Sequence, residues 1–255
     1  MTETALGERA QLALRTIRGE GGGGIPTKWI NVMEWRMIDR LAGRPEGSYR
    51  RDPVGTYHRM QERVGACIVD QWIPENPLTM GAHGYEGAER KATTGALEIV
   101  CDETVIDSPE AVVQHLERVE FPRLRARAEG FDENQRVRDI LAREAEIQGT
   151  LGPNILKTGY GFIGFPTFAY TRYGYEAYFM AFALFPEVIE QHFSLQADVA
   201  LLNNRAAARA YREGDLPPIF RLDHDMADSR GTLVNVEALD RMWFPHFARC
   251  LEPVI

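Results

Sequence analysis

The sequence has few cysteines, no basic excess and no long apolar run, and each shortage removes a class of protein. Its three cysteines, Cys67, Cys101 and Cys250, lie far apart and form neither a disulfide framework nor a zinc-binding spacing. They read as buried free thiols, which suit a reducing cytoplasm. Asp and Glu outnumber Lys and Arg by 37 to 29, a net charge of −8. That balance argues against nucleic-acid binding, which leaves a basic footprint. No uninterrupted apolar stretch approaches the roughly 20 residues that cross a bilayer, so no membrane association is expected. The Met-Thr-Glu-Thr start has no basic segment followed by an apolar one, so no signal peptide is expected either. What remains is 255 residues, 44% of them hydrophobic, enough to bury a core without covalent staples.

Helix and strand signals alternate along the chain. Residues 5–18 carry the pattern of an amphipathic helix, and the four glycines Gly21, Gly22, Gly23 and Gly24 then break it as a linker. Residues 27–34 read as a first strand, 36–42 as a helix closed by Gly43, and Asp52-Pro53 as the capped start of a helix running to Val64. Residues 66–70 make a compact buried strand. Residues 96–101 read as part of a small hairpin, Ser108-Pro109-Glu110 as another capped helix start, and 133–146 as a long charged helix. Residues 147–152 are expected as a third core strand. A helix from Pro186 to Tyr211, a strand over 218–225 and a helix over 236–251 follow. The count is four core strands alternating with helices, plus the hairpin, which predicts an α/β fold with a parallel sheet.

The segment with the most specific chemistry runs from Asp223-His224-Asp225-Met226 to Arg230-Gly231. An apolar strand ends there in polar residues, the place where barrel enzymes keep their catalytic groups. This run resembles the Asp-Asp-hydrophobic…Arg-Gly segment of the uroporphyrinogen decarboxylase superfamily, with His224 at the first Asp of the pair and Asp225 at the second. Val234-Asn235-Val236-Glu237 replaces the usual Ser-Pro-Glu start of the next helix. Ile25-Pro26, Leu41-Ala42-Gly43 with Asp52-Pro53, and Arg172-Tyr173-Gly174-Tyr175-Glu176 before Phe185-Pro186-Glu187 are similar to the family's segments too.

The resemblance implies a (β/α)8 barrel of the TIM type as a single domain, of which these residues would supply four strands, residues 1–24 being a leading helix and linker. It also implies roughly 100 further residues to close the ring, or two chains completing each other as a homodimer. The superfamily contains tetrapyrrole decarboxylases and methyltransferases that use zinc and a corrinoid. A decarboxylase needs an arginine fork near the first strand and a carboxylate after the second. Arg36 with Arg40, or Arg40 with Arg44, are the fork candidates. The arginines lie a helix away from Ile25-Pro26, where the family's version follows directly off the strand, and Asp70 lies two residues from the expected carboxylate position, where Trp72 stands; both displacements weaken that branch.

A methyltransferase component working with a corrinoid protein is therefore the first expectation, with zinc ligands expected beyond Ile255 and none within this chain. A tetrapyrrole decarboxylase is the second, and a non-catalytic corrinoid- or tetrapyrrole-binding protein the third. In each, His224 and Asp225 would carry proton transfer or substrate orientation, with Met226 beside them and Arg230 holding the loop or an anionic group. Glu34, Asp70 and Gln71 would line the mouth on a small-molecule substrate. Tyr170 and Arg172 are the pocket candidates from the aromatic segment 160–179, whose other rings read first as core.

Overall fold

Capping chemistry sets most helix boundaries in the computed structural model, which describes residues 6–21, 23–29, 32–75, 79–81, 84–86, 99–229 and 231–255. The first helix, α1 (Glu8–Ile17), buries Ala10, Ala13 and Leu14. In α2 (Trp35–Ala42) the Glu34 carboxylate accepts from the backbone N–H groups of Arg36 and Met37, and Gly43 ends the helix at φ 64°. A single turn, α3 (Ser48–Arg51), leads to α4 (Pro53–Arg63), capped by Asp52 through the Gly55 N–H. Short strands follow: β1 (Ile68–Val69), then the hairpins β2–β3 (Thr79–Gly81, Gly84–Glu86) and β4–β5 (Val100–Cys101, Thr104–Val105).

Ser108 caps α5 (Pro109–His115). A π-helical turn, Leu116–Glu120, joins it to α6 (Phe121–Glu129), where Pro122 has no N–H to donate. The long α7 (Glu133–Leu151) leads to β6 (Leu156–Lys157) and β7 (Gly159–Tyr160). Next come α8 (Tyr170–Tyr173), α9 (Tyr175–Leu184), α10 (Pro186–Gly214), β8 (Phe220–Arg221) and the hairpin β9–β10 (Ala227–Asp228, Gly231–Thr232). Asn235 caps α11 (Val236–Met242), and α12 (Phe244–Leu251) follows after Trp243.

The chain forms two compact units, each assembled from three segments. The first comprises residues 1–89, 137–161 and 209–222. Its centre is a parallel arrangement in chain order. Lys28 bridges to Ile68, β1 pairs with β6 through Ile68–Leu156 and Val69–Lys157, and β7 pairs with β8 through Gly159–Phe220 and Tyr160–Arg221. Since β6 and β7 are separated only by Thr158, four strand positions stand side by side as 1-2-3-4. Gly159 is required at the last contact: a Cβ there would collide with the Tyr211 hydroxyl and lie 2.9 Å from Phe220 Cβ.

Successive residues of a strand point to opposite faces. Val69 packs with Ile147, Leu151 and Ile155, so α7 covers one face. Ile68 and Leu156 pack with Leu6, Ala10, Ala13 and Leu14, which places α1 at the N-terminal ends of the strands. A third cluster joins α2 and α4 through Ile38, Ala42, Tyr57 and Met60.

The second unit comprises residues 90–136, 162–208 and 223–255. It is helical around one aromatic-rich core in which Phe168, Tyr173, Tyr178, Phe182, Phe193 and Trp243 are buried. The indole N–H of Trp243 donates to Pro166 O at 2.9 Å, and Asn204, fully buried, bonds the Gly164 backbone and Cys250 O.

The α/β class and the parallel order match the expectation, and no closed barrel forms among the described residues. The third strand is corrected. Residues 147–151 are the last turns of α7, whose buried residues Val137, Ile140, Glu144, Ile147 and Leu151 recur at helical spacing, and the strand lies beyond Gly152, at 156–160. Of the first strand the described residues show the Lys28 bridge, Ile30 and Asn31 lie outside the described residues, and Glu34 is a helix cap. The fourth shortens to Phe220–Arg221, and the last helix divides at Trp243 ahead of Pro245. The expected hairpin strand 96–101 is observed at Val100–Cys101, and residues 96–98 lie outside the described residues. All three cysteines are buried and free.

Candidate functional site

The polar centre of the first unit sits where its parallel strands end. Asp70 follows β1 and is buried, with 2% of its side chain exposed. One oxygen, Oδ2, lies 2.7 Å from Lys28 Nζ and 2.8 Å from Arg221 Nε. The other, Oδ1, accepts the Gln71 backbone N–H at 2.6 Å. The Gln71 side chain extends the cluster, accepting from Arg221 Nη2 at 3.0 Å and donating to the Tyr160 hydroxyl at 3.4 Å. The Arg221 guanidinium lies over the Tyr160 ring, 4.2 Å from its centroid. Strand alternation accounts for the convergence: Lys28 pairs with Ile68, two residues before Asp70, and Tyr160 pairs with Arg221, so all four share a face.

Burial by itself would raise the Asp70 pKa. The Lys28 hydrogen bond, the Gln71 N–H and the charges of Lys28 and Arg221 outweigh it and hold the carboxyl below its usual range. A carboxylate so stabilised is a poor proton acceptor at neutral pH and a good anchor for cations. Lys28, Arg221 and Asp70 together carry one net positive charge. Lys28 spends one of three donors on Asp70 and keeps a third of its side chain exposed. The cluster is suited to holding an anionic group.

A second buried pair lies on the opposite face of the sheet. Lys157 Nζ is 2.9 Å from Glu144 Oε1. Burial drives both toward their neutral forms, lowering Lys157 and raising Glu144, while their mutual attraction opposes this. The pair is enclosed between β6 and α7 and acts on packing.

Of the residues expected at the mouth from strands one and two, Asp70 and Gln71 belong to this cluster. Glu34 is the cap of α2, Arg36 pairs with Glu46 at 3.3 Å with both side chains exposed, and Arg40 is exposed on the same helix. Arg44 is held by Asp52 and the Thr56 hydroxyl, each at 2.8 Å. Lys28, Tyr160 and Arg221 were not among the expected site residues. Their signal was the period-2 alternation, which sets Arg221 in phase with Asp223 and Asp225 on an extended segment.

In the second unit, His224 Nε2 accepts the Phe168 backbone N–H at 2.9 Å, so the ring is neutral with its proton on Nδ1. Burial lowers its pKa, and the carboxylates of Asp225 and Asp223 oppose that. The Tyr170 hydroxyl donates to the Asp225 backbone carbonyl at 3.3 Å, while the Asp225 side chain is exposed. Met226 is half-buried against the aromatic core. His224, Asp225 and Tyr170 are thus brought together, with only Nδ1 of the imidazole left to exchange a proton.

Arg172 is committed elsewhere. It bonds Asp102 at 2.6 Å and Glu120 at 2.7 Å, and Arg123 bonds the same two carboxylates at 2.9 Å each. His115 Nε2 completes the set at 3.1 Å from Asp102, its Nδ1 facing the buried Tyr173 hydroxyl at 2.9 Å. Asp102 and Glu103 form the turn of the β4–β5 hairpin at φ 45° and 68°, so this network ties the turn to the helices. Arg230 lies outside the described residues.

Zinc and a corrinoid, which the resemblance implies, were tested against the donors present. Among the described residues no three His, Cys, Asp or Glu side chains converge as metal ligands. His224 Nε2 already accepts the Phe168 backbone N–H, and burial pushes the Cys101 thiol up and the Cys250 thiol up to about 11. Phe165, Phe168, Tyr170, Tyr173, Tyr178 and Phe179 of the aromatic segment belong to the core, while Tyr160 lies beneath Arg221. Among the described residues no zinc donor set is assembled, and no step is routed through zinc or a corrinoid. Among the described residues no helix is long and apolar enough to cross a membrane. Comparison with family models, with curated proteins and with solved structures finds no match.

Proposed function

We propose that this chain is a small-molecule enzyme related to the uroporphyrinogen decarboxylase superfamily, acting on an anionic substrate at the C-terminal ends of its parallel strands. The observation that carries this reading is the cluster of Lys28, Asp70 and Arg221, in which two cations from the first and fourth strand positions share one buried carboxylate oxygen from the second. Ligands of parallel α/β folds bind beyond the carboxyl ends of the strands. In this reading Lys28 and Arg221 hold a substrate carboxylate, Asp70 fixes the two cations, and Gln71 and Tyr160 border the bound molecule.

Two reaction classes meet that description. The resemblance of the Asp223–Gly231 segment favours one-carbon transfer involving a corrinoid held by a partner protein. The ionised Asp70 between two cations favours the second class, a carboxy-lyase acting on a tetrapyrrole, since such a substrate presents several carboxylates to cations and N–H groups to an anion.

Equilibrium titration of the purified chain with uroporphyrin and with hydroxocobalamin tests the proposal. Saturable binding of either, weakened about tenfold or more (1.4 kcal/mol per decade) in Lys28→Gln or Arg221→Gln, supports it. Release of carbon dioxide from uroporphyrinogen then selects the lyase, and methyl exchange with the cobalamin selects the transferase. Binding of neither, or binding indifferent to both substitutions, contradicts it.

A further inference from the structure

We propose that Arg123, Arg172 and His115 form a binding site for a small carboxylate, and that the hairpin turn carrying Asp102 is a built-in plug which such a ligand displaces. Asp102 marks the place. Its Oδ2 accepts from Arg172 Nη2 at 2.6 Å, Arg123 Nη2 at 2.9 Å and His115 Nε2 at 3.1 Å. A carboxylate only accepts, so His115 donates from Nε2, and its Nδ1 accepts from the Tyr173 hydroxyl at 2.9 Å. Donors from α5, α6 and α8 thus converge on one oxygen. Contacts outside the hairpin also hold them: Tyr173 fixes His115, and Glu120 Oε2 accepts from Arg123 Nη1 at 2.9 Å and Arg172 Nη1 at 2.7 Å. Glu120 closes the π-helical turn, a distortion found frequently at functional sites.

Charge selects the ligand. Arg123 and Arg172 less Glu120 leave one positive charge (2 − 1), and burial, with the Arg172 charge, favours the neutral form of His115. One carboxylate balances that charge, whereas a phosphate dianion leaves a negative charge uncompensated beside Glu120. The plug is the removable member of the set. The Asp102 side chain is 42% exposed, while that of His115 is enclosed. The Cys101–Thr104 pair closes the turn, and Asp102 and Glu103 stand at φ 45° and 68°, with Glu103 where two-residue hairpin turns favour glycine. Every member of the site belongs to the second unit, so the inference is independent of the Lys28–Asp70–Arg221 cluster and of the reaction it serves.

Chemical rescue of Asp102→Gly by acetate tests it. Glycine suits the φ of 45° at this position, and acetate has the heavy atoms of the side chain removed. The melting temperature of the variant is expected to rise saturably with acetate, and not with chloride or phosphate at equal ionic strength. Adding Arg172→Gln to Asp102→Gly abolishes the rise. Hydrogen exchange on the unaltered chain reads the plug without substitution, and decides the matter where a variant fails to fold. Acetate there competes with a tethered carboxylate of roughly millimolar effective concentration, so exchange at residues 102–104 quickens about threefold or more in roughly 100 mM acetate and not in chloride. A melting temperature indifferent to acetate overturns the proposal, as does a rise that phosphate matches or that Arg172→Gln leaves intact. Unchanged exchange at residues 102–104 overturns it too, because the turn is then a fixed tie.

Discussion

Lys28 Nζ and Asp70 Oδ2 stand 2.7 Å apart, joining the first and second strand positions of the parallel set at the end where such sheets bind ligands. Arg221 reaches the same oxygen from the fourth position, so a single carboxylate ties together residues separated by 193 positions in the chain (221 − 28). The following expectations begin from that carboxylate.

Asp70→Asn leaves two cations facing each other without their shared anion. The cost lies between the roughly 1–3 kcal/mol of an orphaned hydrogen-bonding group and the roughly 3–5 kcal/mol of a broken buried pair. Lys28 and Arg221 keep 33% and 20% of their side chains in contact with water, which holds the loss toward the lower range. A fall in the urea midpoint at unchanged slope is the expected reading, and an unchanged midpoint would count against the cluster.

The pH dependence of that difference has a fixed sign. The folded Asp70 pKa is depressed, so its contribution is complete above the unfolded value of about 3.9 and is lost as pH falls through the folded value. The stability gap between the unaltered chain and Asp70→Asn is therefore constant from neutral pH to about pH 5 and closes below about pH 4. A gap that closes near pH 6 instead would assign the effect to a histidine.

Two histidines set the other acidic limb. Burial lowers His224, and it lowers His192 to about 4. A histidine whose folded pKa is depressed contributes stability above its unfolded value of about 6.5 and loses it as pH falls toward the folded value. Proton NMR titration of the imidazole carbons is expected to show both rings titrating below pH 6.5, His192 near 4. Titration of His224 above 6.5 would contradict the neutral ring that accepts the Phe168 N–H.

Leu151→Ala tests the corrected third element. Leu151 is fully buried with Ile147, Ile155 and Val69, so truncation opens a cavity costing about 2–5 kcal/mol. Thr150→Ala, at an exposed position one residue earlier, is expected to cost under about 0.5 kcal/mol. Equal costs at the two positions would argue against a helix with one buried face here.

Helix starts were legible because capping is local: Asp52-Pro53, Ser108-Pro109 and Pro186 mark the observed starts of α4, α5 and α10. The parallel order was legible from alternation of elements. Residues 147–151 misled because a short segment with Ile147 and Leu151 at its ends, closed by Gly152-Pro153, fits strand and helix alike, and only the 137–151 spacing separates them. At the site, Asp70 and Gln71 stood out as polar residues closing a strand. Lys28 and Arg221 did not, because pairing strand one and strand four with Asp70 is a long-range fact of the sheet. Arg172 looked like a pocket residue, yet its partners Asp102 and Glu120, which it shares with Arg123, come from a hairpin turn and a helix distant in the chain.

Amide NMR of the chain during titration with uroporphyrin tests the central claim most directly, because it reports which residues meet the ligand. The account predicts saturable shifts at Lys28, Asp70, Gln71, Tyr160 and Arg221. Shifts confined to other residues, or none at saturating ligand, would contradict it.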